Sequence, residues 1–134
     1  MSVDELRRIR PDLVEPFATA LPGARATVLS RLWGAFGREP VPGVTRRRRE
    51  AGSLVVELQR GGSLSAPEAG ARPFADVPQD FAVSGPEGPI GDPARLLAQL
   101  GLRTRAAERL AAELGNSVFN LALARAANAD RKAA

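Results

Sequence analysis

The chain has 134 residues and a mass of 14.1 kDa, with 44% apolar and 25% charged residues. That is the size and balance of one folded domain, able to bury roughly two thirds of the surface its unfolded chain would expose. It contains no Cys and no His, which removes disulfides, thiolate nucleophiles, thiolate metal sites and the commonest general base and metal ligand. The net charge of +4 is uneven: 10 Arg face 6 acids in residues 1–50, whereas 9 bases balance 9 acids in residues 51–134.

Of the 19 basic residues 18 are Arg, and Ala, Gly and Pro are abundant. GC-rich coding DNA explains that bias without any function. Aromatics make up only 4%, so the core must be built from Leu, Val and Ala around five Phe and Trp33. The start, "MSVDELRRIRPDLVEP", has no apolar leader, and no run approaches the roughly 18 apolar residues that cross a bilayer. The expected location is the cytoplasm, with no membrane partner.

The residues Asp12 to Arg38 read as helix, with a break expected at "LPG", residues 21–23, where Pro and Gly fit poorly inside one helix. Beyond it Val28, Leu29, Leu32, Trp33 and Phe36 follow the i, i+3, i+4, i+7 spacing and form an apolar stripe. "EPVPG" stops this helix, and "RRRRE" reads as a solvated linker into "SLVVELQ", residues 53–59, a β-branched strand. "RGG" supplies a turn. Phe74, Val77, Phe81 and Val83, set among Pro67, Pro73 and Pro78, predict short strands at a sheet edge. "SGPEGPIGD" reads as a loop, Asp92 as an N-cap and Pro93 as the first residue of a short helix that Gly101 ends. A longer helix is expected from about Thr104 to about Asn128. The expected fold class is therefore α+β: amino-terminal helices, a small antiparallel sheet from residues 53 to 84, and two carboxy-terminal helices, one of them long, in a single domain spanning residues 1–134.

On the long helix, steps of 100° place Ala107, Leu110, Ala111, Leu114, Val118, Leu121 and Ala122 on one broad face, which must be buried. Ala112, Phe119 and Leu123 form a second apolar strip, and Arg109, Glu113, Asn116, Ser117 and Asn120 fill the sector between the two. Two readings stay open. The polar sector is a solvated face with Phe119 locally covered, or Glu113, Asn116, Ser117, Phe119, Asn120 and Leu123 form a docking surface for further protein.

The run "ELGNSVFNLALA", residues 113–124, resembles the "E-L-x-N-S-x-x-N-x-A-L-A" helix that closes the amino-terminal region of the aerobactin-synthetase (IucA/IucC) family. These are siderophore synthetases that work independently of nonribosomal peptide synthetases. The layout upstream is similar: "VLSRLWGAFGREPVPGV", a sheet-like middle, then "DPARLLAQLGL". The resemblance implies an amino-terminal module of an enzyme that uses ATP and Mg to activate a polycarboxylate as an acyl-adenylate and join it to an amine or alcohol. The family's catalytic groups lie beyond this helix, starting with a His-Pro motif, and no position here matches one. The resemblance thus implies no catalytic, cofactor-binding or metal residue in this chain, no activity in isolation, and a catalytic synthetase body encoded downstream as the partner.

A different class, a small basic nucleic-acid-binding protein, is suggested by Arg46, Arg47, Arg48 and Arg49, which could neutralise phosphates from a loop. No aromatic is interleaved with them, no helix-turn-helix or RNA-recognition signature surrounds them, and Glu50 dilutes the run. Nucleic acid is therefore not the expected partner. A complete small enzyme fits less well still. "GGSLS" lacks the Lys and helix of a phosphate loop, Ser63, Ser65 and Ser117 have no His to activate them, and Glu108 and Glu113 are badly spaced for a carboxylate pair.

Overall fold

The computed structural model describes residues 1–133. Ser2 opens the first helix, α1 (Val3–Ile9), by accepting a hydrogen bond at its hydroxyl from the Glu5 N–H, and Asp4 and Glu5 favour the positive end of that helix dipole. A 3-10 turn, Pro11–Leu13, leads into α2 (Val14–Arg38). Arg10 and Asp12 pair at 2.8 Å across that joint. The hydrogen bond from Arg10 holds the Asp12 carboxyl below its ordinary pKa. A carboxylate with a depressed folded-state pKa stabilises above its unfolded pKa, and the contribution fades as pH falls through the folded value. Asp12→Asn is therefore expected to be slightly less stable than the parent at neutral pH and equal to it well below about pH 4, as read from urea unfolding at both pH values. An Asp12→Asn deficit that persists in acid would contradict this.

The expected break in α2 does not occur: Pro22 lies inside one continuous helix. Both halves of α2 carry residues of one apolar cluster, Phe17 and Ala24 with Val28, packed on Val118, Ala122 and Ala126. That shared packing outweighs the backbone hydrogen bond Pro22 cannot donate. Just after it, Thr27 donates its hydroxyl to the Gly23 carbonyl at 3.0 Å.

Five strands follow: β1 (Val44–Glu50), β2 (Ser53–Leu58), β3 (Ser63–Pro67), β4 (Val83–Gly85) and β5 (Gly88–Ile90). They form one antiparallel sheet in sequence order. The sheet is thus wider than residues 53–84. The Arg run is not a linker but a strand, and "SGPEGPI" is not a loop but the last hairpin. The first hairpin turn is disguised by its chemistry. Ala51 and Gly52 both take positive φ, 49° and 83°, a two-residue hairpin turn in which Ala stands where Asn or Asp is usual. Gly61 and Gly62, at φ 102° and 84°, make the expected "RGG" turn. The stretch between Arg72 and Ala82 holds no strand, so of the four apolar residues expected at the sheet edge Val83 lies in β4 and Phe74, Val77 and Phe81 are not sheet residues.

Two short helical elements complete the order before the last helix: a 3-10 turn at Glu68–Ala71 and α3 (Pro93–Ala98). Asp92 has the extended backbone of an N-cap, and Gly101 takes φ 70° beyond the helix end. Then α4 (Arg105–Ala133) runs back along α2. The architecture is α+β, as the pattern of elements implied. Its core has two parts joined through α2. One is formed by Leu29, Trp33 and Phe36 with the inner sheet residues Leu54, Val56, Leu64 and Val83 and with Leu96. The other lies between the front of α2 and the rear of α4.

Candidate functional site

The best-marked candidate is the outer surface of α4. Thr104 starts this helix by accepting the Ala107 N–H at its hydroxyl, 3.1 Å away. Glu108 in the first turn and Arg131 and Lys132 in the last complement the helix dipole. The buried line on α4 is Val118, Ala122 and Ala126, a row of i+4 steps that drifts around the helix rather than following the broad face drawn from Ala107 to Ala122. Leu110 from that face is 38% exposed, and Ala107, Ala111, Leu114 and Leu121 are half-buried.

The drift brings Phe119 and Leu123 onto the shoulder of the buried line instead of the far side. Phe119 is half-buried, and its ring sits 4.7 Å from that of Phe17, tilted by 47°. Leu123 is half-buried against the same cluster. Glu113, Asn116, Ser117 and Asn120 are all exposed on the opposite side, and none of their side chains makes a hydrogen bond among the described residues. The structure therefore brings the four polar residues together as one outward row, beside exposed Ala112 and Leu110, with Phe119 and Leu123 at its inner margin.

The Arg run has a different character. Alternation in β1 splits it two and two. Arg47 and Arg49 pair with Val56 and Leu54 of β2, Arg46 and Arg48 with Glu57 and Val55. Arg48 meets Glu57 at 2.8 Å and Glu50 at 2.6 Å, and Arg49 meets Glu68 at 2.7 Å. The Glu50 carboxylate holds the Arg48 guanidinium above its ordinary pKa. Arg46 is the loosest, 4.0 Å from Glu57. Arg47 donates to the backbone carbonyls of Phe36 and Glu39, closing the carboxy-terminal end of α2. This is the arrangement of an edge strand whose cations are engaged by its own fold.

Arg47→Ala is accordingly expected to lower stability by about 1–2 kcal/mol, because it leaves helix-end carbonyls unpaired. Arg46→Ala should stay within about 0.5 kcal/mol. Chemical denaturation of both variants checks the difference, and an Arg46→Ala loss equal to that of Arg47→Ala would refute it.

Among the described residues no three acidic side chains meet as a metal-holding group. No helix among the described residues is long and apolar enough to cross a membrane. Comparison with protein-family models, with curated proteins and with solved structures found no match to this chain.

One cluster is not foreshadowed by the sequence. Arg31 and Arg38 share a face of α2, an i, i+7 spacing visible in the sequence, and Arg72 joins them only through the fold. Together with Thr27, Ser30 and Phe74 they line a cavity.

Proposed function

We propose that this chain is the amino-terminal structural module of an ATP-dependent siderophore synthetase, one that supports a carboxylate-amine condensation carried out by a separate catalytic body. The observation that supports it is the outward row Glu113, Asn116, Ser117 and Asn120 on α4, in the same run that resembles the family's closing helix. These side chains have no partner of their own among the described residues. The small neighbour Ala112 allows another backbone to approach closely, and Leu110, at 38% exposure, supplies apolar contact beside the row. An interface of amides and a carboxylate around small residues suits a polar, wet contact between protein bodies. In this reading Phe119 and Leu123 contribute their outer edges while their inner surfaces hold α4 on α2.

The module carries out no reaction itself. The purified chain, supplied with ATP, Mg, a polycarboxylate and a diamine, is expected to release neither AMP nor a condensed product. Formation of either at a rate proportional to the concentration of the chain would overturn the proposal.

A further inference from the structure

The cavity beside α2 has a charge pattern that the proposed module function does not use. Thr27, Arg31, Gly34 and Arg38 are spaced by four, three and four residues and so lie on one helix face. Two bonds fasten the chain after β3 against that face: Ser30 donates its hydroxyl to the Gly70 carbonyl at 2.5 Å, and Arg38 donates to the Ala71 carbonyl. Arg72 to Ala75 then pass over α2 and border a half-open space of about 420 Å³, within the range of small-ligand sites. Gly34 permits this arrangement. A β-carbon there would stand 2.7 Å from the Ala71 oxygen and 2.8 Å from Nη1 of Arg38.

Three arginines, Arg31, Arg38 and Arg72, border the space. A fourth, Arg125 from α4, donates to the hydroxyl of Thr27 at 3.1 Å. Among the described residues none of the four makes an ion pair with a carboxylate. Asp76, the nearest acid along the chain after Arg72, pairs with none of them. Arg46, Arg48 and Arg49 show the contrast, since each has its acid. Gathering unpaired cations around one cavity costs repulsion that a bound anion removes.

At the mouth stands Phe74, fully exposed and with φ 57°, a left-handed conformation that costs a bulky residue on the order of 1 kcal/mol. With Pro73 and Ala75 it adds an apolar wall to the charged floor.

We propose that this cavity binds a small organic phosphate, its oxyanion held by Arg31, Arg38 and Arg72 and its flat or aromatic part resting on Phe74. Guanidinium forks match phosphate oxygens bidentately, and a dianion balances several of them better than a single carboxylate does. The site stands independently of the synthetase-module reading, because it involves neither the 113–124 run nor any partner chain.

Phenyl phosphate is the probe, followed by amide chemical-shift titration of the full chain, with inorganic phosphate as the reference. Saturable shifts confined to residues 27–38 and 70–75 are expected, with phenyl phosphate binding about tenfold more tightly than inorganic phosphate. Arg31→Gln and Arg72→Gln should each weaken both ligands about tenfold. Both side chains are exposed, so these variants should keep the parent's spectrum. Gly34→Ala, which displaces the Arg38 guanidinium, should weaken both as well. Phe74→Ala should reduce phenyl phosphate to the affinity of inorganic phosphate and leave the latter unchanged. The site is overturned by non-saturating shifts that spread equally over residues 46–49, or by undiminished binding in Arg31→Gln and Arg72→Gln. The organic part of the assignment is overturned if Phe74→Ala binds phenyl phosphate as the parent does.

Discussion

Replacing Trp33 with Ala is expected to cost about 3–5 kcal/mol, a large share of the roughly 5–15 kcal/mol that holds a domain together. Trp33 is fully buried at the centre of the sheet-facing cluster, with its ring 6.3 Å from that of Phe36. No other side chain of its size is present to fill the space, since it is the one tryptophan in a chain with 4% aromatics. Its indole N–H is buried without a hydrogen-bond partner among the described residues. Trp33→Phe removes that unpaired donor along with part of the ring, and relief of about 1–3 kcal/mol offsets much of the lost packing. The expected order is therefore a severe loss for Trp33→Ala and a loss below about 2 kcal/mol for Trp33→Phe. Urea unfolding followed by circular dichroism at the helix band measures both, because the variants lose the fluorophore. A Trp33→Phe loss as large as that of Trp33→Ala would contradict this order.

The second large effect concerns the surface of α4. The double variant Asn116→Lys, Asn120→Lys should leave the isolated chain as stable as its parent within about 0.5 kcal/mol. Both positions are exposed and make no side-chain hydrogen bond among the described residues, and Lys is the better helix former by a few tenths of a kcal/mol. If the outward row docks on a catalytic body, the same change brings two cations into that contact. An unpaired charge in an interface costs about 2–5 kcal/mol, which is a loss of about 30- to 5000-fold in affinity. Complementation of a catalytic body by the parent and by the variant, measured at one concentration, separates these cases. Full complementation by the variant would place the contact elsewhere.

The elements legible in the sequence are those whose signals are local. The stripe from Val28 to Phe36, the strand at "SLVVELQ", the "RGG" turn and the Asp92-Pro93 helix start each depend on spacing or cap chemistry within a few residues. The misread elements depend on distant partners. Pro22 stays helical because α4 packs on both halves of α2. Arg46 to Arg49 form a strand because Glu57, Glu68 and the end of α2 are there to receive them. The residues 83–90 pair as a hairpin at the sheet edge through only a few short-range bonds, too few to imprint an alternating pattern.

The same distinction applies to the sites. The polar row on α4 follows from helical periodicity alone, which is enough to group Glu113, Asn116, Ser117 and Asn120. Periodicity does not place Phe119, because its covering residue, Phe17, is about a hundred positions away in the chain. Arg72 reaches Arg31 and Arg38 only once Gly70 and Ala71 are tied to α2, so nothing in its own neighbourhood in the sequence marks it.

If a synthetase body is encoded beyond the Ala134 codon, the most direct test of the module proposal is to express the chain together with it, as one frame or two, and to follow ATP-dependent condensation of a polycarboxylate with a diamine. The expected result is turnover by the pair, none by the 134-residue chain alone, and loss of turnover when Asn116 and Asn120 carry the lysine substitutions. Condensation by the chain alone, or turnover by the downstream polypeptide that is unchanged when the chain is withheld, would contradict it.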